Sequence, residues 1–182
     1  METTLIAYKF LKPDGTSVFS GFRWTLPAGA PGQWVEAPVD PCRSGIHACR
    51  VSDLPFWAGR TLYAIELDGE VVEHRRKLVG SRGRLLRRID AWDGDLRDAY
   101  TRACADRAHE LAFSASPPLE HWDAVVEPAV GEGPALLGFV AARIADEISG
   151  PAAYRDERTR QASWLAEHLG LDASARGAEA PS

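Results

Sequence analysis

At Asp93 the hydrophobic period of this chain changes. Before it, over residues 61–67, Leu62, Ala64 and Glu66 alternate with Tyr63, Ile65 and Leu67, the period-two pattern of a strand. After it, Leu96, Tyr100, Cys104, Ala108 and Leu111 recur every three or four residues, which is one face of a helix. Strand patterns fill the first half and helical patterns the second, so the fold predicted is α+β. A mixed, mostly antiparallel β-sheet over residues 1–90 carries a C-terminal helical cap over 91–171, followed by a disordered tail over 172–182.

Within the first half, residues 5–11 read as a strand that stops at the turn Lys12-Pro13-Asp14-Gly15. Residues 18–26 are expected to pair back on it as a second strand. The Pro- and Gly-rich stretch 27–32 is a loop, and 33–37 is a short edge strand anchored by Trp34. Residues 44–51 form a strand with Ile46, Ala48 and Arg50 on one face and His47, Cys49 and Val51 on the other. Ser52 or Asp53 then caps a single helical turn through Leu54-Pro55-Phe56-Trp57. Asp68-Gly69 signals a hairpin, with the return strand starting at 70–73 and continuing over 77–79 and 84–89 past Gly80 and Gly83. In the second half the residues around Trp122, Val125 and Val126 are looser. One helix closes at Ser149-Gly150, and a last one runs from Pro151 to a Gly170 cap.

Charge and cysteine content narrow the class. The net charge is −5, yet residues 73–88 hold Arg75, Arg76, Lys77, Arg82, Arg84, Arg87 and Arg88 against the single acid Glu73. Such a run offers an anion-binding face. Aromatic residues do not interleave with it in sequence, which argues against a nucleic-acid groove. No stretch approaches the ~20 apolar residues of a membrane span. Three cysteines do not make a disulfide framework, and the acidic N-terminus is unlike a signal peptide, so a cytoplasmic location is expected. Arginine far outnumbers lysine, and with abundant Ala, Gly and Pro this suggests a GC-rich bacterial genome.

The densest chemistry lies at Cys42-x4-His47-x-Cys49. Two thiolates and an imidazole are ligands that Zn or another transition metal accepts, and three protein ligands leave an open coordination position. The same His47 and Cys49 can instead be read as a base beside a nucleophilic thiol. Glu66, in an apolar strand, is a candidate acid, base or oxocarbenium stabiliser. Arg82 and Arg84 on one strand face can clamp a phosphate.

The pattern Tyr8-Lys9-Phe10…Gly21…Cys42-x-x-Gly45-Ile46-His47-Ala48-Cys49…Leu62-Tyr63-x-x-Glu66-Leu67-x-Gly69-Glu70…Lys77 resembles an uncharacterised domain family of bacteria and their phages, over about residues 5–90. The second half resembles helical extensions of actinobacterial proteins. More distantly, the layout of strand, short helix and strand with Gly-Glu is similar to ADP-ribosyltransferase-like folds. That similarity implies NAD in a sheet cleft, with Tyr8, His47, Tyr63 and Glu66 or Glu70 at the matching positions, Tyr8 among those that bind the cofactor, and Arg82 or Arg84 on the pyrophosphate. Three readings are open. One is a small bacterial enzyme with His47, Cys49, Tyr63 and Glu66 as its catalytic set. The second is a metal protein using Cys42, His47 and Cys49. The third is a non-catalytic module that engages a protein partner through the basic strand and exposed tryptophans.

Overall fold

In a computed structural model, which describes residues 4–41 and 43–171, the change of period at Asp93 is the boundary between sheet and helices. The first half holds β1 (Leu5–Leu11), β2 (Val35–Glu36), β3 (Ile46–Ala48), the helical turn α1 (Leu54–Trp57), β4 (Thr61–His74) and β5 (Lys77–Arg88). The second holds α2 (Gly94–Ser114), α3 (Asp123–Glu132), α4 (Pro134–Ser149) and α5 (Pro151–Leu169). The α+β expectation holds. The predicted tail and Cys42 lie outside the described residues. Among those residues no helix is long and apolar enough to cross a membrane.

Each strand pairing is antiparallel. The order is β1-β4-β5-β2, and β3 pairs with the same edge of β5, taking residues 78–80 where β2 takes 82–83. Immediately after β3, Cys49 exchanges both backbone hydrogen bonds with Tyr8, at 2.9 and 2.8 Å. The strands β1, β4, β5 and β3 therefore close into a ring, a small barrel. Its interior is filled by Ala7, Leu11, Ile46, Ala48, Tyr63, Ile65, Leu67, Leu78 and Leu85, with Trp24 as the plug. The outer faces of the same strands present Tyr8, Phe10, Cys49, Leu62 and Ala64 to the helical layer, where they meet Trp92, Tyr100, Leu137, Ile144 and Leu165. Curling β5 this tightly needs small residues on its inner side. A Cβ on Gly83 would lie 2.7 Å from Ile46 Cγ2, and one on Gly80 would lie 3.2 Å from Leu67 Cδ2.

Two local expectations are corrected. Asp68-Gly69 is not a hairpin: β4 runs on to His74, and the reversal falls at Arg75-Arg76, with Arg75 in the left-handed region at φ 53°. Gly69, at φ 74°, instead accommodates a bulge, seen as a register shift between Asp68 and Val71. A Cβ there would sit 2.5 Å from Ser81 Oγ, the hydroxyl that accepts from the Glu70 amide. Residues 18–26 do not form a second strand. They make a turn held by Ser17 N–H to Phe22 O and Gly21 N–H to Ser17 O, with a single bridge from Ser17 to Leu11 of β1 and another from Arg23 back to Thr16. The Trp24 indole enters the barrel, donating to Ser17 Oγ at 2.9 Å, and this rotates its neighbours outward. Residues 123–132, read as loose, are helical despite Pro128.

Asp53 precedes α1 as expected, but its carboxylate makes no cap bond and receives Arg50 Nε at 3.0 Å instead. The α2 start is capped by Asp93, which accepts from the Leu96 amide at 2.8 Å. Gly170 closes α5 at φ 61°, with Leu171 N–H bonded to Ala166 O.

Gly83→Ala should cost about 1–3 kcal/mol, because its new methyl meets Ile46 and the Glu66 carbonyl inside a closed ring. Gly131→Ala, with open space around it near the end of α3, should gain up to about 0.5–1 kcal/mol. Urea unfolding of both variants checks the contrast.

Candidate functional site

Strand alternation places His47 and Cys49 on the outer face of β3, as expected, and Tyr8 joins them across the closing bridge. The three differ in what they can do. Cys49 is buried in the main core, and its thiol lies 3.4 Å from the Tyr8 carbonyl as a donor. Burial, followed by the nearby Asp53 carboxylate, pushes that thiol well above its ordinary range. A nucleophile or metal ligand needs the thiolate, which this environment opposes. His47 is half-buried, and its Nε2 has no hydrogen-bond partner among the described residues. Burial, then the charges of Lys77 and Lys9, hold its pKa down to about 4, so the ring is neutral at pH 7. A neutral imidazole is the form that binds metal. Among the described residues, however, no three His, Cys, Asp or Glu side chains are grouped to hold an ion.

Tyr63 stands apart from this face. It points into the barrel with Ile65 and Leu67, opposite Lys9 on β1. Glu66 lies on the outer side, one step along β4, and is occupied: Arg84 Nε donates to Glu66 Oε2 at 2.6 Å. Beside it, Arg82 Nη1 donates to Asp68 Oδ2 at 3.0 Å, and Arg82 Nε lies 3.4 Å from Glu36 Oε1. Both guanidiniums cover the Trp34 ring, at 4.2 and 4.4 Å from its centroid. In space, then, an aromatic side chain does stack with the basic strand, brought there by β2 pairing beside β5. The rungs of this ladder pair unlike charges across strands, which stabilises the sheet. A phosphate held by Arg82 or Arg84 would compete with Asp68, Glu36 and Glu66.

Two further constellations escape a linear reading. Lys9 sits among the inward-facing residues of β1. Its Nζ donates to the His47 carbonyl at 2.6 Å and lies 5.2 Å over the Trp24 ring. The geometry explains why. Since Cys49 turns its N–H and C=O toward β1, so does His47, two residues earlier, and the ladder parts before reaching it. The ammonium supplies the donor that Phe10 does not. Burial lowers the Lys9 pKa from 10.5 to about 8. The sequence signal was a lone lysine in an apolar strand.

The second constellation surrounds Phe56 on α1. Arg76 lies 3.7 Å and Arg158 4.1 Å from its ring centroid, and Tyr154 and Phe139 complete the surroundings of Arg158. These residues are far apart in sequence, and only the helical layer folding over α1 unites them. Compared with known protein families, curated proteins and solved structures, the chain has no match.

Lys9 and His47 both bind protons less readily in the folded chain than in the unfolded one. Their contributions to stability are therefore complete above the unfolded pKa and are lost as pH falls through the folded value: between 10.5 and about 8 for Lys9, and between 6.5 and about 4 for His47. The Lys9 shift corresponds to about 3 kcal/mol at full weight, and partial exposure of the side chain reduces this to about 1–2 kcal/mol. Between pH 8 and 10 the urea midpoint of the wild type should rise relative to that of Lys9→Met, since the buried Cys49 and Cys104 thiols, whose pKa values are raised, lower the stability of both chains alike in this range. His47→Gln should blunt the loss between pH 6.5 and 4.5.

Proposed function

We propose that this protein is a binding module that docks a protein partner through the aromatic turn around residues 18–26 and the adjoining face of α1. One observation carries this reading. Val18, Phe19, Phe22 and Leu26 are 50, 86, 45 and 38% exposed on a turn whose backbone is fixed by its own hydrogen bonds and by the Trp24 plug. Large apolar side chains held rigidly in solvent mark contact surfaces, because their ordering cost is met before the partner arrives.

The turn is not isolated. Phe19 meets Trp57 of α1 edge to face at 6.2 Å, and Trp57 Nε1 donates at 2.8 Å to the carbonyl of Arg76 at the β4–β5 tip. Arg76 in turn covers Phe56. Aromatic residues and arginine in one strip have the composition of interface hot spots. The exposed Arg75 and Arg76 give the strip positive charge, so the complementary partner is an apolar segment bearing acidic residues. By contrast, Glu66, Arg82 and Arg84, on which the NAD reading relies, are engaged with one another and with Asp68 and Glu36.

Selection from a displayed random-peptide library, with the whole folded chain as bait, tests this. Peptides rich in apolar residues with Asp or Glu should be enriched. Their affinity should fall about tenfold or more in Phe19→Ser and Phe22→Ser and be unchanged in Glu66→Gln. Absence of enrichment, or turn variants that bind like the wild type, would overturn the reading. A rise in melting temperature with millimolar NAD, lost in Glu66→Gln, would favour the transferase reading instead.

A further inference from the structure

We infer that Phe56, Arg76 and Arg158 form a subsite for one carboxylate side chain, Asp or Glu, of the docked partner. This rests on the proposed docking strip and names the chemistry that one end of it recognises.

Arg158 is the unusual member. It lies on the buried side of α5 with only 5% of its surface exposed, and it carries a positive guanidinium. Among the described residues it makes only one hydrogen bond, from Nη1 to Gln161 Oε1 at 2.9 Å, and its buried Nε finds no acceptor. Among the described residues no carboxylate pairs with it. The same helix does hold a buried carboxylate, Glu157, but that group is saturated. Arg160 donates to it twice, at 2.6 and 2.9 Å, Gln161 Nε2 once at 2.9 Å, and Arg107 Nε at 3.3 Å. Three aromatic rings remain to Arg158, and cation–π contact offsets only part of the cost of burying a charge.

Arg76 brings a second guanidinium to the same ring, from the solvent side. It too has no carboxylate partner among the described residues, and its backbone is fixed by the Trp57 indole. Two like charges on one ring repel each other, and an anion placed against both relieves that repulsion. Their Cζ atoms lie 3.7 and 4.1 Å from one centroid, so an anion held beside that ring is attracted by both charges, and the guanidinium it reaches can donate charge-assisted bonds of ~2.8 Å.

The route in is short. Phe139, whose ring centroid lies 5.9 Å from the Arg158 Cζ, is 43% exposed, so the aromatic surround of the guanidinium reaches solvent on that side. Walls of Phe56, Tyr154 and Phe139 favour a carboxylate over a phosphate, because a dianion loses more hydration in an aromatic enclosure than a monoanion does. Position supports the same conclusion: Phe56 and Trp57 are neighbours on α1, so a peptide lying across Phe19 and Trp57 delivers its next side chain to this place.

The probes are acetyl-Phe-Glu-amide, acetyl-Phe-Gln-amide, acetyl-Phe-phosphoserine-amide and inorganic phosphate, titrated into the full chain. The readout is the ¹⁵N-detected arginine Nε–H signals together with the Trp57 indole signal. The glutamate probe should shift the Arg158 and Arg76 signals saturably, at least about tenfold more tightly than the glutamine probe. Arg76→Gln, at an exposed position, should weaken it, and Phe139→Ala should strengthen it by opening the route. Arg158→Gln should abolish it, and the other two variants keep the test intact if that substitution unfolds the chain. Equal shifts by the glutamate and glutamine probes, confined to Trp57, would overturn the subsite and leave the docking strip standing. An arginine response that Phe19→Ser does not alter, with no Trp57 shift, would uphold the subsite and remove the docking reading. Tighter response to phosphoserine or phosphate would overturn the carboxylate assignment.

Discussion

The mutual backbone bond between Tyr8 and Cys49 turns an open sheet into a ring, and most of the architecture depends on that closure. Before it, β3 is a three-residue strand on the edge of β5, too short to define an inside. With it, every residue of β1, β3, β4 and β5 acquires an inner or an outer side. Tyr63 goes inward and Glu66 outward. Cys49 turns toward the helices with His47 on the same outer side, and Lys9 turns into the barrel, where it donates to a carbonyl left over as the ladder parts. The buried lysine is thus a consequence of where closure stops. An unsatisfied carbonyl inside an apolar ring costs about 1–3 kcal/mol, comparable to the cost of partly dehydrating one ammonium.

Closure also decides how the helices attach. The outer faces of β1 and β4 are apolar, and a line of rings runs from them across the second half: Phe10 to Trp92, Trp92 to Tyr100, and Tyr100 to Trp164, at centroid distances of 5.9, 6.2 and 5.3 Å. Trp92 is tied to the sheet side as well, its indole donating to the Gly59 carbonyl at 3.0 Å. The close approach of α4 to α5 is fixed at Gly138, whose carbonyl accepts from Gln161 Nε2 at 2.9 Å. A Cβ there would meet Gln161 Oε1, Arg158 Nη1 and Tyr100 Oη at 3.0–3.4 Å. Directional contacts of this kind fix register where apolar packing alone tolerates sliding.

Much of this was legible in the sequence because it rests on local period. The boundary at Asp93, the strand over residues 61–67, the faces of α2 and α5, and the sharing of one side by His47 and Cys49 all come from spacing. What was not legible depended on contacts between distant segments. Asp68-Gly69 carries the turn chemistry of a hairpin, yet continued pairing of residues 71–74 with β5 outweighs it, and the glycine serves a bulge. Residues 18–26 have strand-like composition, but burying one indole in the barrel orients the whole segment. The Phe56 cluster joins residues 56, 76, 139, 154 and 158, and no window of sequence contains it.

The basic run of residues 73–88 shows how the chain distributes charge. Read linearly it is one anion-binding face. In the fold it separates into two populations with opposite prospects. Arg82 and Arg84 point across the sheet at Asp68, Glu36 and Glu66, stacked on Trp34, and an incoming anion there must displace carboxylates already in place. Arg76, at the tip of the hairpin, leaves the sheet and meets Arg158 on the ring of Phe56, where the described residues supply no counter-charge. Stability accounts for the first population, since unlike charges facing each other across strands strengthen the pairing. It does not account for the second, because bringing two cations to one ring raises the energy of the folded chain unless something negative joins them. The place where the fold holds charge at a cost is the place where its physical chemistry points to a partner.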